Sequence, residues 1–171
     1  GYANMRYREA FSGGQFGIKV WIITEAITGA AALHFKRAVR YAPTMEESML
    51  ITTKRHAYPS MKVKLAADAD GRMTAFFCDF IMDKGAYTVN GPVILGRSVL
   101  MLSGSYNLPH IKALGRSVYT NNAFGGSARG AGPPQTAFAL ESAVDMLADK
   151  AGIDPLEFRR MNSLKPGQSK A

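Results

Sequence analysis

The chain has 171 residues, 47% hydrophobic and 20% charged, a balance that excludes disorder and allows a buried core in one domain or two small ones. No apolar run reaches the roughly 18 residues that a membrane-spanning helix needs. The net charge of +8 is scattered over FKRAVR, TKRH, MKVK and FRR with no run of five basic residues, which argues for solvated surface and against a nucleic-acid arm.

Residues 4–11, NMRYREAF, alternate weakly and predict a strand running into the first glycine-rich stretch, SGGQFG at 12–17. TEAITGAAALHF predicts a helix over 24–35 with Thr24 as its N-cap. AVRY at 38–41 predicts a short strand. Thr44 and Glu47 have the spacing of a capping box at the start of a helical turn.

KVKLAADADGRMTAFFCDFIMD, at 62–83, predicts two strands joined at Asp70-Gly71. Phe76, Cys78, Phe80 and Met82 share one face of the second strand. Cys78 is the single cysteine, so an internal disulfide is excluded and an inert core thiol is expected. His34, His56 and His110 show no metal-ligand spacing.

KGAYTVNGP (84–92) reads as a loop, ILGRSVLMLSG (94–104) as a short helix carrying Arg97, and IKALGRSVYTN (111–121) as a strand. The second glycine-rich stretch, GGSARGAGPPQ, covers 125–135. From Gln135 a helix is expected to Gly152, with Leu140, Ala143, Leu147 and Ala151 on its inner face and Gly152 as its stop. Asp154-Pro155 then caps a last helix, PLEFRRMNSL. The mixture lacks a regular strand–helix rhythm. It predicts an α+β fold with a mainly antiparallel sheet and flanking helices, in one segment over 1–171.

Glycines let backbone N–H groups approach an anion, and a helix N-terminus behind them adds to the attraction. SGGQFG lacks the Lys and Ser/Thr of a phosphate loop, and neither stretch forms the dinucleotide pattern. In ARGAG, Arg129 is a forked cation among small residues that admit a large ligand. Two such loops suit a bulky, oxygen-rich anion. Two ordinary turns are the plainer alternative.

Taken together, GGQFG, KR at 54–55, DKGAYT, SYNLPHI, TNN, ARGAGPPQ, FALESAVDMLADKAGIDPLEFRRMN and LKPG resemble, in order, a central segment of the molybdenum-binding subunit of the xanthine dehydrogenase/aldehyde oxidoreductase family. The resemblance covers nearly the whole chain. It implies a part of a larger molybdopterin-binding subunit. Such an enzyme hydroxylates an aldehyde or a heteroaromatic carbon with oxygen from water and passes electrons to iron–sulfur clusters on another domain or subunit.

Carried over by position, the resemblance assigns cofactor binding to Gly13, Gly14, Gln15, Phe16, Gly17, Ala128, Arg129 and Gly130, and the substrate pocket to Val20, Arg97 and Ala131. It implies that pterin sulfurs, not protein side chains, hold the molybdenum. The pterin is expected in its cytosine dinucleotide form, with FAD on a partner as an open alternative. Purine-active members carry a glutamate where this chain has Val20, so an aldehyde is the expected substrate. A purine- or nicotinate-like heteroaromatic, or a non-catalytic assembly module, are the alternatives. Ala131 and Ala128 stand where many members have an aromatic. Gln135 is expected to cap or orient the helix that follows it.

The family's general-base glutamate belongs to a segment near the C-terminal end of the full subunit. Glu141 is expected to make a structural contact instead. The 171 residues alone are therefore expected to be inactive and to need the remaining molybdenum-subunit segments. The opening Gly1-Tyr2 suggests an excised piece. The expected compartment is the cytoplasm, with the periplasm as the alternative.

Overall fold

The computed structural model describes residues 6, 8, 10–22, 24–51 and 54–168. Of the strand expected over 4–11, residues 4, 5, 7 and 9 lie outside the described residues, and 6, 8, 10 and 11 are irregular. Helix α1 spans Glu25–Phe35 and α2 spans Met45–Ile51. Neither contains a buried residue. Thr24 does occupy the N-cap of α1, but its side chain does not cap. Its backbone is helical rather than extended, which turns the hydroxyl away from the orphan amides. The capping box of α2 forms as expected: Glu47 accepts from Thr44 N–H at 2.8 Å, and Thr44 Oγ1 accepts from Glu47 N–H at 3.2 Å. Residues 38–41 are irregular, not a strand, because no described segment pairs with them.

The core is built on a hairpin. Strand β2 (Ala57–Ala67) pairs antiparallel with β3 (Met73–Asp83). The turn is tied by Asp68, whose Oδ1 accepts from the N–H groups of Asp70 at 3.0 Å and Arg72 at 2.8 Å. Gly71 takes the left-handed conformation there, at φ +81°. On β3, Phe76, Cys78, Phe80 and Met82 are buried in alternation, as their period of two requires. Burial pushes the Cys78 thiol up to about 11, with Asp79 adding to the shift.

Helix α3 (Gly91–Leu100) crosses to β4 (His110–Val118), which pairs parallel with β3. The α+β class holds, as a small mixed sheet in the order β2-β3-β4 with flanking helices. A second sheet goes beyond the sequence reading: the two-residue strands β1 (Lys54–Arg55) and β5 (Gly125–Gly126) pair in parallel.

Helix α4 (Pro133–Ala151) buries Thr136, Leu140, Val144 and Ala148. This i, i+4 stripe shares only Leu140 with the expected set: Ala143 and Leu147 are half-buried and Ala151 is exposed. Thr136 tolerates burial because its hydroxyl donates to Pro133 O at 3.1 Å. Gly152 closes α4 in the left-handed conformation, as expected. Helix α5 (Pro155–Asn162) is capped by Asp154, whose Oδ1 accepts from Leu156 and Glu157 N–H. Buried Asn162 then joins α5 to the hairpin. It accepts from Met73 N–H at 2.7 Å and donates to Gly71 O at 3.0 Å and Phe158 O at 2.9 Å. No helix among the described residues is long and apolar enough to cross a membrane.

Candidate functional site

The first glycine stretch is an exposed loop held by its own atoms. Gln15 Oε1 accepts from Gly17 N–H at 2.8 Å, Gln15 O accepts from Ile18 N–H at 2.8 Å, and Lys19 Nζ donates to Gly13 O at 2.5 Å. Gly14, Phe16 and Gly17 have φ of +60°, +40° and +93°. At Gly13 and Gly14 a side chain would meet nothing within 4 Å, so these glycines leave open space above the backbone. The loop does not lead straight into a helix, since α1 begins only at Glu25. Helix polarity therefore adds little here.

The second stretch begins on β5 and ends at α4. Ala131 N–H donates to Ala128 O at 2.7 Å, closing a turn around the exposed Arg129 and Gly130. Gly132 lies flat against α3: a Cβ there would sit 2.3 Å from Ser98 Oγ and 2.9 Å from Ile94 O. Pro133 and Pro134 open α4 and carry no N–H, which removes two donors from the helix N-terminus. The donors left to face an anion are loop amides and the Arg129 guanidinium.

The two loops meet. The Arg129 guanidinium lies over the Phe16 ring, 5.3 Å from its centroid. A Cβ on Gly17 would come within 2.7 Å of Ser127 Cβ, so the loops are in backbone-to-side-chain contact. Behind them, Asn90 Nδ2 donates to Ser127 Oγ.

The remaining site candidates lie apart from this contact. Val20 is exposed beside Trp21 and Ile22. Those two, with Tyr87, Val89 and Phe124, line an apolar cavity of about 340 Å³ near the outgoing end of the first loop and the start of the second. Val89 stands there at φ +42°, a strained conformation for a β-branched residue. Arg97 is on the exposed side of α3, one residue from the Ser98 that abuts Gly132. Ala131 lies at the base of the turn at φ +46°. Gln135 orients α4 rather than capping it: Nε2 donates to His56 O at 2.9 Å, and the helix starts two residues earlier. Glu141 accepts from Tyr106 Oη and from Arg159, a structural contact as expected.

Sequence reasoning missed the support beneath the second loop. Arg55 NH2 donates to Arg129 O at 2.5 Å. His56 is buried under Gly125, with Nδ1 3.1 Å from Asp83 O. Burial holds the imidazole below its ordinary pKa, partly offset by the Asp83 carbonyl and carboxylate. Asp83 in turn accepts from Gly85 N–H, Thr120 Oγ1 and Asn122 Nδ2. The Lys-Arg pair before the hairpin was the available signal, but nothing in it names a partner. Among the described residues no group of three or more His, Cys, Asp or Glu side chains is placed to hold a metal ion.

A family model described as "Molybdopterin cofactor-binding domain" matches residues 2–163. The chain is similar to the aldehyde oxidoreductase of Megalodesulfovibrio gigas, at 39% identity over 92% of this chain and 17% of that protein. It is similar at 40% identity to one subunit of a probable xanthine dehydrogenase of Bacillus subtilis (strain 168), over 90% of this chain and 20% of that protein. A solved structure of aldehyde oxidoreductase from Desulfovibrio gigas superposes with a TM-score of 0.85 over 92% of this chain and 17% of that one. The chain thus spans about a fifth or less of these relatives.

Proposed function

The chain belongs to the molybdopterin cofactor-binding domain family, and on that basis we propose that residues 1–171 act as one cofactor-binding segment of a larger molybdenum hydroxylase that oxidises an aldehyde to the carboxylic acid with oxygen from water. The observation that carries this reading is the contact between Arg129 and Phe16, which joins two glycine loops that lie far apart in the sequence.

The residues present fit such a cofactor. Gly13 and Gly14 leave the backbone of the first loop open to a ligand, since a Cβ at either would meet nothing within 4 Å. Loop amides and a guanidinium form a donor set suited to phosphate and other oxygen-rich anions. Arg129 has no ion-pair partner among the described residues, so its charge is available to a ligand. Gly13, Gly14, Gln15, Phe16 and Gly17 would hold one side of the group, and Ala128, Arg129 and Gly130 the other. When bound, the molybdenum–pterin supplies the redox centre at which a C–H bond is exchanged for a C–O bond and two electrons are taken up.

We take the pterin in its cytosine dinucleotide form, with electrons passing to iron–sulfur clusters on partner domains. The chain's own part is to bind and orient. Glu141 is engaged by Tyr106 and Arg159, and the exposed Glu157 by Arg160. The proton-abstracting carboxylate, on the family resemblance, belongs to a segment outside these residues. Val20 and the apolar cavity lined by Trp21, Tyr87 and Phe124 support an aldehyde over a polar purine.

The test is to purify the enzyme with its partner chains, measure pterin and molybdenum, and compare dye-linked turnover of aldehydes and hypoxanthine. Bound pterin with aldehyde turnover is expected. Absence of pterin would sink the cofactor reading, and a preference for hypoxanthine would sink the substrate assignment.

A further inference from the structure

Arg55 is not among the residues that the resemblance assigns to the site, yet the three residues that follow Thr53 grip the second glycine loop at three points. The backbone of Lys54–Arg55 pairs in parallel with Gly125–Gly126, fixing where the loop begins. The Arg55 side chain reaches onward and donates to Arg129 O at 2.5 Å, fixing its tip. The carbonyl of His56 accepts from Gln135 Nε2 at 2.9 Å, fixing its end.

The seam beneath is tight. A Cβ on Gly125 would lie 2.2 Å from His56 Nδ1. The loop therefore cannot slide inward, and the Arg55 strap limits its movement outward. With the Arg129 backbone held in this way, its side chain is left to face Phe16. The arrangement also brings a second cation, Arg55, up against the backbone of the first. Neither arginine has a carboxylate partner among the described residues. Two cations without a carboxylate partner, one on the turn and one bound to its carbonyl, favour an anion at this wall.

We propose that Arg55 is a positioning residue for the anionic cofactor: its guanidinium holds the Ala128–Gly130 turn in the binding geometry and adds positive charge to that wall. The proposal rests on the cofactor reading above and extends it to a residue outside both glycine loops. Arg55 acts through the Arg129 carbonyl and is exposed, so its removal loosens the loop without opening the core.

The experiment uses the enzyme assembled with its partner chains. Arg55→Ala is expected to lower pterin and molybdenum retained after dialysis about tenfold, the usual scale for one charge-assisted hydrogen bond. The melting temperature of the cofactor-free form should stay within about 2 °C of the parent. Arg55→Lys, which keeps a cationic donor for the carbonyl, should restore most of the retention. Unchanged retention in Arg55→Ala, with a loaded parent enzyme, overturns the positioning role and leaves the cofactor reading intact. A melting temperature that falls in step with retention and is not rescued by lysine also overturns it. A parent enzyme that carries no pterin overturns both.

Discussion

The guanidinium of Arg129 stands 5.3 Å above the ring centroid of Phe16, and this pair joins the two glycine loops of the chain. An exposed cation–π contact contributes only about 0.5–1 kcal/mol. The larger consequence is where it aims the positive charge. Arg129→Gln in the assembled enzyme is expected to reduce retained pterin by roughly tenfold or more. Loss of this exposed contact should lower unfolding stability by no more than about 1 kcal/mol. Pterin content by fluorescence after oxidation, beside a denaturant titration, separates the two effects.

Gly125 is required by closeness, not flexibility. An alanine there would drive its Cβ into the buried imidazole of His56. Gly125→Ala should destabilise the fold by about 1–3 kcal/mol, the range for overpacking a tight interior. The same substitution in a His56→Ala background should cost distinctly less. Equal costs in both backgrounds, measured by urea unfolding, would contradict the contact.

Asn162 satisfies three backbone groups at once, and two of them belong to the hairpin. Asn162→Ala leaves buried donors and acceptors without partners and should cost about 2–4 kcal/mol. Thermal unfolding checks the size. Hydrogen exchange at Met73 checks the site, because that amide loses its acceptor.

His56 sets a pH dependence. Burial, the largest influence, lowers its pKa in the fold, while the Asp83 carbonyl and carboxylate act to raise it and Lys84 to lower it. The unfolded imidazole titrates near 6.5 and so binds a proton first as pH falls. Stability is complete above that value and declines as pH drops from there toward the folded pKa. Between pH 7 and pH 5 the parent should lose stability, and His56→Gln should lose less. Parallel stability curves for the two proteins would refute the assignment.

The features that sequence reasoning recovers are those with a local code. The Asp70-Gly71 turn, the Thr44/Glu47 box, the Gly152 stop and the Asp154 cap are each written within a few residues and are present where expected. The alternation through Phe76, Cys78 and Phe80 is equally direct. Pairings between distant segments leave no such code. β5 is two glycines, which carry no strand pattern, and β1 is two cations. The inner face of α4 differs from the expected one because the helix is rich in small residues, and Ala143 and Ala148 are alike in polarity. At the candidate site the glycine loops are legible. The Arg55 and His56 support is not, since their partners are a carbonyl and a glycine far along the chain.

The pairing of β1 with β5 has a consequence for the order of assembly. The β2–β3 hairpin closes over a short turn, whereas β1 must wait for nearly the whole sheet and α3 to be laid down before β5 arrives. Loop-closure entropy delays such distant contacts. The nascent chain should thus pass through a stage with a formed hydrophobic hairpin and an unpaired β1. Pulse-labelled exchange would then find amides of the β2–β3 ladder protected before that of Gly125, whose N–H bonds to Lys84 O just past β3. The β1–β5 seam is thus completed only after the hairpin on which the core is built.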